Sequence, residues 1–232
     1  MRHLFVYYTH NLPKLMSTSY IPALKYHFLT PIYDWFIRVT MPEMKVKNRL
    51  IHQAQLQPND KVLDFGCGTA TLTLLIEEQC NSGTVIGLDT DPQILAIARQ
   101  KIRQKKSAIT LLKYEGSSLP FPDCVFDKVL SSWVFHHLTT AQKITAFKEI
   151  NRVLKPQGEL HIADWGKSET ALMRFLFFVL QVFDNFYTTN DNVEGKLPNL
   201  MQKAGFQEVE ILGNQSTLFG TLSYFKTVKC SS

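Results

Sequence analysis

From residue 58 onward the chain alternates short apolar runs with segments of helix length, a rhythm that few folds satisfy. The runs are 61–65, 84–88, 109–113, 126–131 and 159–163. Between them, 71–79, 92–105 and 141–153 carry apolar residues three and four apart: Ile94, Ala98 and Ile102, then Ile144, Phe147, Ile150 and Leu154. Pro58-Asn59-Asp60 and Lys155-Pro156-Gln157-Gly158 are turn signals that introduce strands. This pattern predicts a parallel sheet joined by crossover helices. Two more apolar runs, 208–212 and 217–228, follow Gly205 with no helix-length segment between them. A parallel pair needs a crossover of about a dozen residues, so these two strands are expected to pair antiparallel.

The rest of the chain divides around that core. A loose leader over 1–18 and a helical amino-terminal cap over 19–57 are expected before a domain at 58–232. The cap is rich in aromatics (Tyr20, Tyr26, Phe28, Tyr33, Trp35, Phe36) and broken at Pro22, Pro31 and Pro42. Met16 opens a second start-like stretch, which makes 1–15 read as a leader without the apolar core of a signal peptide. With 45% hydrophobic residues and sixteen Phe in 232, the chain has enough apolar surface for a buried core, which excludes disorder. The net charge of +5 comes without a polybasic block; Lys101, Arg103, Lys105 and Lys106 form a solvated helix face, so no nucleic-acid partner is expected. Cys67, Cys80, Cys124 and Cys230 have neither CxxC spacing nor a regular framework, so reduced thiols, no metal site and a cytoplasmic protein are expected. The stretch 168–185 is apolar nearly all round and must be covered, as core, as a lid over a hydrophobic substrate, or by a membrane surface.

The chemistry concentrates in VLDFGCGTATLT, residues 62–73. A strand ends in an acid, Asp64, then turns through Gly66 and Gly68 into a helix at Thr71. Glycines serve where backbone turns sharply and lets a ligand approach. The turn lacks the Lys-Ser/Thr pair of a phosphate-binding P-loop, and Thr71 stands where a dinucleotide fingerprint has its third glycine. The next strand ends in Asp89, 23 residues after Gly66, where nucleotide-binding folds hold a ribose hydroxyl pair. Asp91, just before Pro92, reads as a helix cap.

Four blocks in order, VLDFGCGTATLT, GLDTDPQILAIAR, EGSSLPFPDCVFDKVLSSWVFHHL and EINRVLKPQGELHIADWG, resemble the class I S-adenosylmethionine-dependent methyltransferases. Within these the chain looks most like the ubiquinone and menaquinone biosynthesis group, clearly over 58–166 and more weakly through TNDNVEGKLPNLMQKAGF. The resemblance implies an α/β fold, Rossmann-like, with a seven-stranded, mostly parallel sheet, helices on both faces and the last strand antiparallel. It implies S-adenosylmethionine as cofactor and S-adenosylhomocysteine as product. Asp64, Gly66, Cys67 and Gly68 would line the methionine part, Asp89 and Thr90 the ribose, Glu115, Gly116 and Ser117 the adenine, and Ser132 and Trp133 would close the pocket. Two positions depart from the family pattern: Ala70 replaces a usual glycine, and Glu115 a usual Asp.

A sulfonium is already an activated methyl donor, so the protein's work is positioning and desolvation, the former capable of about 7–11 kcal/mol. His136 and His137, just past the fourth strand, offer a base; packing at a helix start is their alternative role. Asp164 and Trp165 end the fifth strand at the same crevice, and His136 and Asp164 are the candidate catalytic residues. No Tyr has Lys four residues later, against a short-chain dehydrogenase, and SSWVFHH replaces the Asn/Asp-Pro-Pro-aromatic motif of nucleic-acid adenine methyltransferases. Aminopropyl transfer lacks its paired acids. A non-catalytic interaction protein that keeps the fold remains the alternative of another class. The expected partner is a small, hydrophobic acceptor, with peripheral membrane contact left open and no oligomeric state selected. Shortening Phe175, Phe178 or Phe183 to Ala is expected to lower acceptor turnover more than cofactor affinity. Steady-state kinetics beside calorimetry checks this; equal losses would mean core damage, about 3–5 kcal/mol per Phe.

Overall fold

Val62, Leu63, Val85, Leu88, Val129 and Leu130 are all buried, the continuous apolar filling that a parallel sheet covered on both faces demands. The computed structural model describes residues 43–80, 83–167, 173–174, 186–217 and 220–230. Their strands are β1 (Lys61–Phe65), β2 (Thr84–Asp89), β3 (Thr110–Lys113), β4 (Phe126–Ser132), β5 (Leu154–Trp165), β6 (Val209–Ser216) and β7 (Thr221–Val228). The helices are α1 (Glu43–Ala54), α2 (Thr71–Gln79), α3 (Pro92–Lys105), α4 (Thr140–Val153), α5 (Phe186–Val193) and α6 (Leu197–Lys203), with a 3-10 turn at Phe135–His137. The leader, all of the cap before Glu43, and the apolar stretch 168–185 except Met173 and Arg174 lie outside the described residues.

The seven strands form one sheet in the order β3-β2-β1-β4-β5-β7-β6. β1 to β5 pair in parallel, while β7 runs antiparallel to β5 and β6, as expected for the closely joined final strands. Strand order reverses between β1 and β4, and the carboxyl ends there open a crevice. One face packs Leu63, Phe65, Leu160 and Ile162 against Phe147 and Ile150 of α4 and Leu200 of α6. The other packs Val62, Val85 and Leu130 against Val46 and Leu50 of α1 and Leu72 and Ile76 of α2, with α3 joining through Ala98 and Ile102.

Local chemistry sets the boundaries. Asp91 caps α3, accepting from Gln93 and Ile94 amides at 2.7 and 3.3 Å, with Pro92 in the first turn. Thr139 and Gln142 close a reciprocal capping box on α4. The turn signal at 155–158 has a different outcome from the one expected. Leu154 is extended rather than helical, β5 already pairs there with Phe126, and the next pair is Lys128 with Glu159. The residues 155–158 form an excursion inside β5, with Gln157 at φ 63°, because Pro156 bars helix from Lys155 while β4 keeps both flanks paired.

Helices α5 and α6 have no counterpart among the elements expected. α5 is moored through its polar side: Asp191 accepts from Thr140 Oγ1 at 2.6 Å and from Lys143 Nζ at 3.2 Å, and Lys143, wholly buried, also donates to the Thr188 carbonyl at 2.7 Å. Burial pulls the Lys143 ammonium below its usual range, against the opposing pull of Asp191 and of the Asp164 charge. Removing one partner of such a pair costs about 3–5 kcal/mol, far more than the net worth of the pair. Asp191→Ala is therefore expected to lower the unfolding free energy by that amount, read as a lower urea midpoint at unchanged m-value, and Asp191→Ala with Lys143→Met to recover most of it.

Candidate active site

The turn from β1 into α2 is fastened to β2 by backbone. The Gly66 and Cys67 amides both donate to the Leu88 carbonyl, at 2.8 and 2.9 Å. The Gly68 amide donates to Asp89 Oδ2 at 2.8 Å, and Asp89 Oδ1 accepts from the Asp91 amide at 3.0 Å. Gly66 and Gly68 both take positive φ, 75° and 54°. A Cβ on Gly66 would sit 2.2 Å from Val134 Cγ2, whereas one on Gly68 would meet nothing within 4 Å among the described residues. The first glycine lets two loops touch; the second leaves open space over the crevice. Ala70 also adopts the left-handed conformation, at φ 62°, at a cost of about 1–2 kcal/mol for a residue with a Cβ. Its buried methyl packs with Leu74, Ala98 and Ile102.

Asp64 lies beneath this turn, wholly withdrawn from water. Its Oδ2 accepts from Thr73 Oγ1 at 2.7 Å, but Oδ1 has no hydrogen-bond partner. Burial pushes its carboxyl up to about 6, against the pull of the Thr73 hydroxyl and the Lys47 charge. The raised value means that Asp64 contributes stability in full only below the ordinary carboxylate pKa near 4. That contribution is lost as pH rises through about 6, where the buried group ionises. Above pH 6 the folded chain holds an unpaired buried carboxylate, which favours a cation beside it.

Around the crevice the other expected residues fall into three groups. Asp89, Thr90 and the glycine turn form its β2 side, with Thr90 exposed. Cys67 is buried over Gly87, where a Cβ would meet its Sγ at 3.1 Å, and burial with Asp64 and Asp89 nearby drives its thiol far above the usual range. Glu115, Gly116 and Ser117 follow β3 as an exposed loop, with Glu115 paired to Lys113 at 2.6 Å. At the end of β4, Ser132 Oγ is buried with no hydrogen-bond partner, and Trp133 turns the chain at φ 56°.

His136 and Asp164 meet. His136 Nδ1 is 2.8 Å from Asp164 Oδ1. Asp164 is wholly buried, and its Oδ2 also accepts from the Val134 and Phe135 amides at 3.1 and 2.7 Å. Oδ1 takes the Trp165 amide at 2.7 Å and Asn192 Nδ2 at 3.2 Å. Burial opposes its charge, yet His136 and these amides outweigh it and hold the carboxyl below the usual range. An ionised Asp164 fixes the proton of the neutral imidazole on Nδ1 and makes Nε2 the basic nitrogen. The His137 ring lies 3.9 Å from that of His136, and the charge of a protonated His136, with burial, pushes His137 below the usual histidine range. Phe135 anchors the whole turn, stacked between Phe65 at 5.7 Å and Phe147 at 4.4 Å.

Sequence reasoning missed Thr73, which orients Asp64, and Asn192, which joins Asp164. Thr73 is legible as the polar residue on the inner side of an otherwise apolar helix start. Asn192 carries only the weak signal of a polar run, Thr188 to Asn192, within an apolar region. Gly66→Ala is expected to cost about 1–2 kcal/mol from its φ alone, and more from the clash with Val134. Val134→Ala in the same chain should return the second part, read as thermal midpoints of the three variants.

Residues 62–158 match the methyltransferase-domain family model. The demethylmenaquinone methyltransferase of Symbiobacterium thermophilum is 35% identical over 138 residues, 58% of this chain and 54% of that protein. The match thus spans little more than half of that relative. The demethylmenaquinone methyltransferase of Listeria welshimeri is 28% identical over 83% of this chain and 92% of its own. Among solved structures, phosphoethanolamine N-methyltransferase 2 of Haemonchus contortus, in complex with S-adenosyl-L-methionine, superposes with a TM-score of 0.67 at 18% identity, covering 80% of this chain and 52% of that one. That likeness is one of fold: the sheet is α/β and Rossmann-like.

Proposed function

We propose that this chain, with its methyltransferase domain, moves the methyl group of S-adenosylmethionine onto a small hydrophobic acceptor of quinol type by in-line displacement. The observation that carries the reading is Asp64: a buried carboxylate oxygen without a partner, under a glycine turn with open space above it, at the point where strand order reverses. These features fit a cationic amino-acid moiety. The first-turn amides of α2, left without a side-chain cap by Ala70, fit its carboxylate. Asp89, half-buried at the end of β2, fits a ribose hydroxyl pair while it holds the Gly68 amide. When bound, the cofactor supplies a methyl group already activated on sulfur.

The chain's own residues do the rest. Asp64, Gly66 and Gly68 seat the amino-acid end, and Cys67 fills the space behind the turn. Asp89 and Thr90 hold the ribose side, Glu115, Gly116 and Ser117 border the base, and Ser132 and Trp133 wall the crevice. His136 takes the proton of an acceptor hydroxyl at Nε2 as the methyl arrives, which raises the electron density of the conjugated ring carbon that bonds the methyl; the ring proton displaced there then restores the hydroxyl. Asp164 works through His136 as a positioning residue. The names of the two relatives favour a demethylated quinone as acceptor. The reading includes a cytoplasmic protein that meets this acceptor at a membrane surface, with α1 as the end of an amino-terminal cap. No helix among the described residues is long and apolar enough to cross a membrane.

Calorimetry with S-adenosylmethionine and S-adenosylhomocysteine tests the first half. Micromolar binding, about −8 kcal/mol, is expected. Asp89→Ala should weaken it by a hundredfold or more, since two hydrogen bonds to a charged group contribute about 1.5–3 kcal/mol each. Affinity should rise with pH and level off above about 6, where Asp64 is ionised, and Asp64→Asn should flatten that rise. Methyl label passing from the cofactor into a reduced 2-polyprenyl-1,4-naphthoquinone tests the second half. A folded chain that binds neither cofactor nor product would overturn the enzyme reading and leave an interaction protein.

A further inference from the structure

Asn192 is wholly buried on α5, and its amide is oriented without ambiguity. Nδ2 donates to Asp164 Oδ1 at 3.2 Å and to the Trp165 carbonyl at 3.3 Å. The reversed amide would set its oxygen against a carboxylate and a carbonyl, so the donors must face that way. Oδ1 is then left buried with no hydrogen-bond partner. A residue needed only to pack α5 against β5 would not carry this cost, because an apolar side chain leaves no acceptor stranded.

The oxygen of Asp164 that Asn192 meets is the one that faces the imidazole. Oδ2 serves the Val134 and Phe135 amides and fixes the carboxylate plane. Oδ1 is shared among His136 Nδ1, the Trp165 amide and Asn192. Asn192 therefore competes with the imidazole for the same lone pairs, and does so as a neutral donor. Among the described residues, His136 faces Asp164 on β5 and His137 on its own turn, and Asp164 also acts on Lys143 of α4, which is paired with Asp191 of α5. The Asp191–Lys143 pair moors α5 and so fixes the distance from Asn192 to Asp164.

We propose that Asn192 is a positioning residue for the transfer step: it holds Asp164 Oδ1 against the Nδ1–H of His136 and drains part of the carboxylate's pull. His136 thereby keeps Nε2 unprotonated at working pH. The inference rests on the reading of His136 as the base. It makes α5 part of the reaction apparatus.

The test uses the full chain with ring-labelled histidine, with His136→Gln to identify the signal. Nitrogen and carbon resonances are followed through a pH titration in wild type, Asn192→Asp and Asn192→Ala. The wild type should show one tautomer, with the proton on Nδ1. Asn192→Asp puts a second negative charge beside Asp164 and should raise the His136 midpoint by about one pH unit, as a nearby opposite charge does for a titrating group. Asn192→Ala removes the neutral donor without adding charge, and should raise the midpoint less and mix the tautomers. Should circular dichroism find Asn192→Asp unfolded, the tautomer pattern of Asn192→Ala decides. A midpoint and tautomer unchanged in the folded variants would overturn the inference. The pH profile of methyl transfer to the reduced naphthoquinone separates it from its premise. If His136→Gln leaves the acid limb intact, the base reading falls, and the catalytic meaning of Asn192 falls with it even where the ring titration moves.

Discussion

A single buried carboxylate organises the reactive end of this sheet. Asp164 ends β5 in a place water does not reach, and a charge there would cost several kcal/mol if left bare. Five donors answer it: two amides of the 134–135 turn, its neighbour's amide, an imidazole and an asparagine. Each charge-assisted bond is worth about 1.5–3 kcal/mol, enough in sum to keep the group ionised. The consequence is geometric as much as energetic. The chain after β4 must curl back onto β5, α5 must dock over it, and His136 has one orientation and one tautomer.

The opposite wall of the crevice is built on the opposite principle. Asp64 is equally buried, yet it has one hydroxyl for company, and burial pushes its carboxyl up to about 6. The two acids lie on adjacent sides of the point where strand order reverses, and they divide the labour that a site for a charged ligand requires. Asp164 is satisfied within the fold and supplies rigidity. Asp64 is left wanting a cation and supplies affinity. The Gly66 turn connects them, because its missing side chain lets Val134, whose own amide binds Asp164, close against the turn after β1.

Much of this was legible before any coordinates. The ends of β1, α2 and α3 fall where the apolar runs, Pro92 and the Asp91 cap place them, since local hydrogen bonding and the period of burial act over a few residues. The glycine turn and the acid that follows it were legible because backbone geometry near φ +60° narrows the choice of residue. What misled was Leu154, whose spacing continues the face of α4 but whose backbone is captured by β4. A helical register is a local property; which partner a strand edge finds is not.

The sequence by itself determined the alternation of strand and helix, the antiparallel return of the last pair, and the acids and glycines at the strand tips. Each of these is dictated within a dozen residues by periodicity, turn chemistry and the reach of a short connection. Only the tertiary structure decided that Asp164 is a buried anchor with His136 on it, that Asp64 keeps an unpaired oxygen, and that Asn192 joins the same carboxylate. Those facts depend on residues 28 or more positions apart arriving in one desolvated space, where the count of available donors fixes protonation and orientation. Hydrogen-bond satisfaction in the interior is a sum over the whole fold, so no window of the sequence contains it.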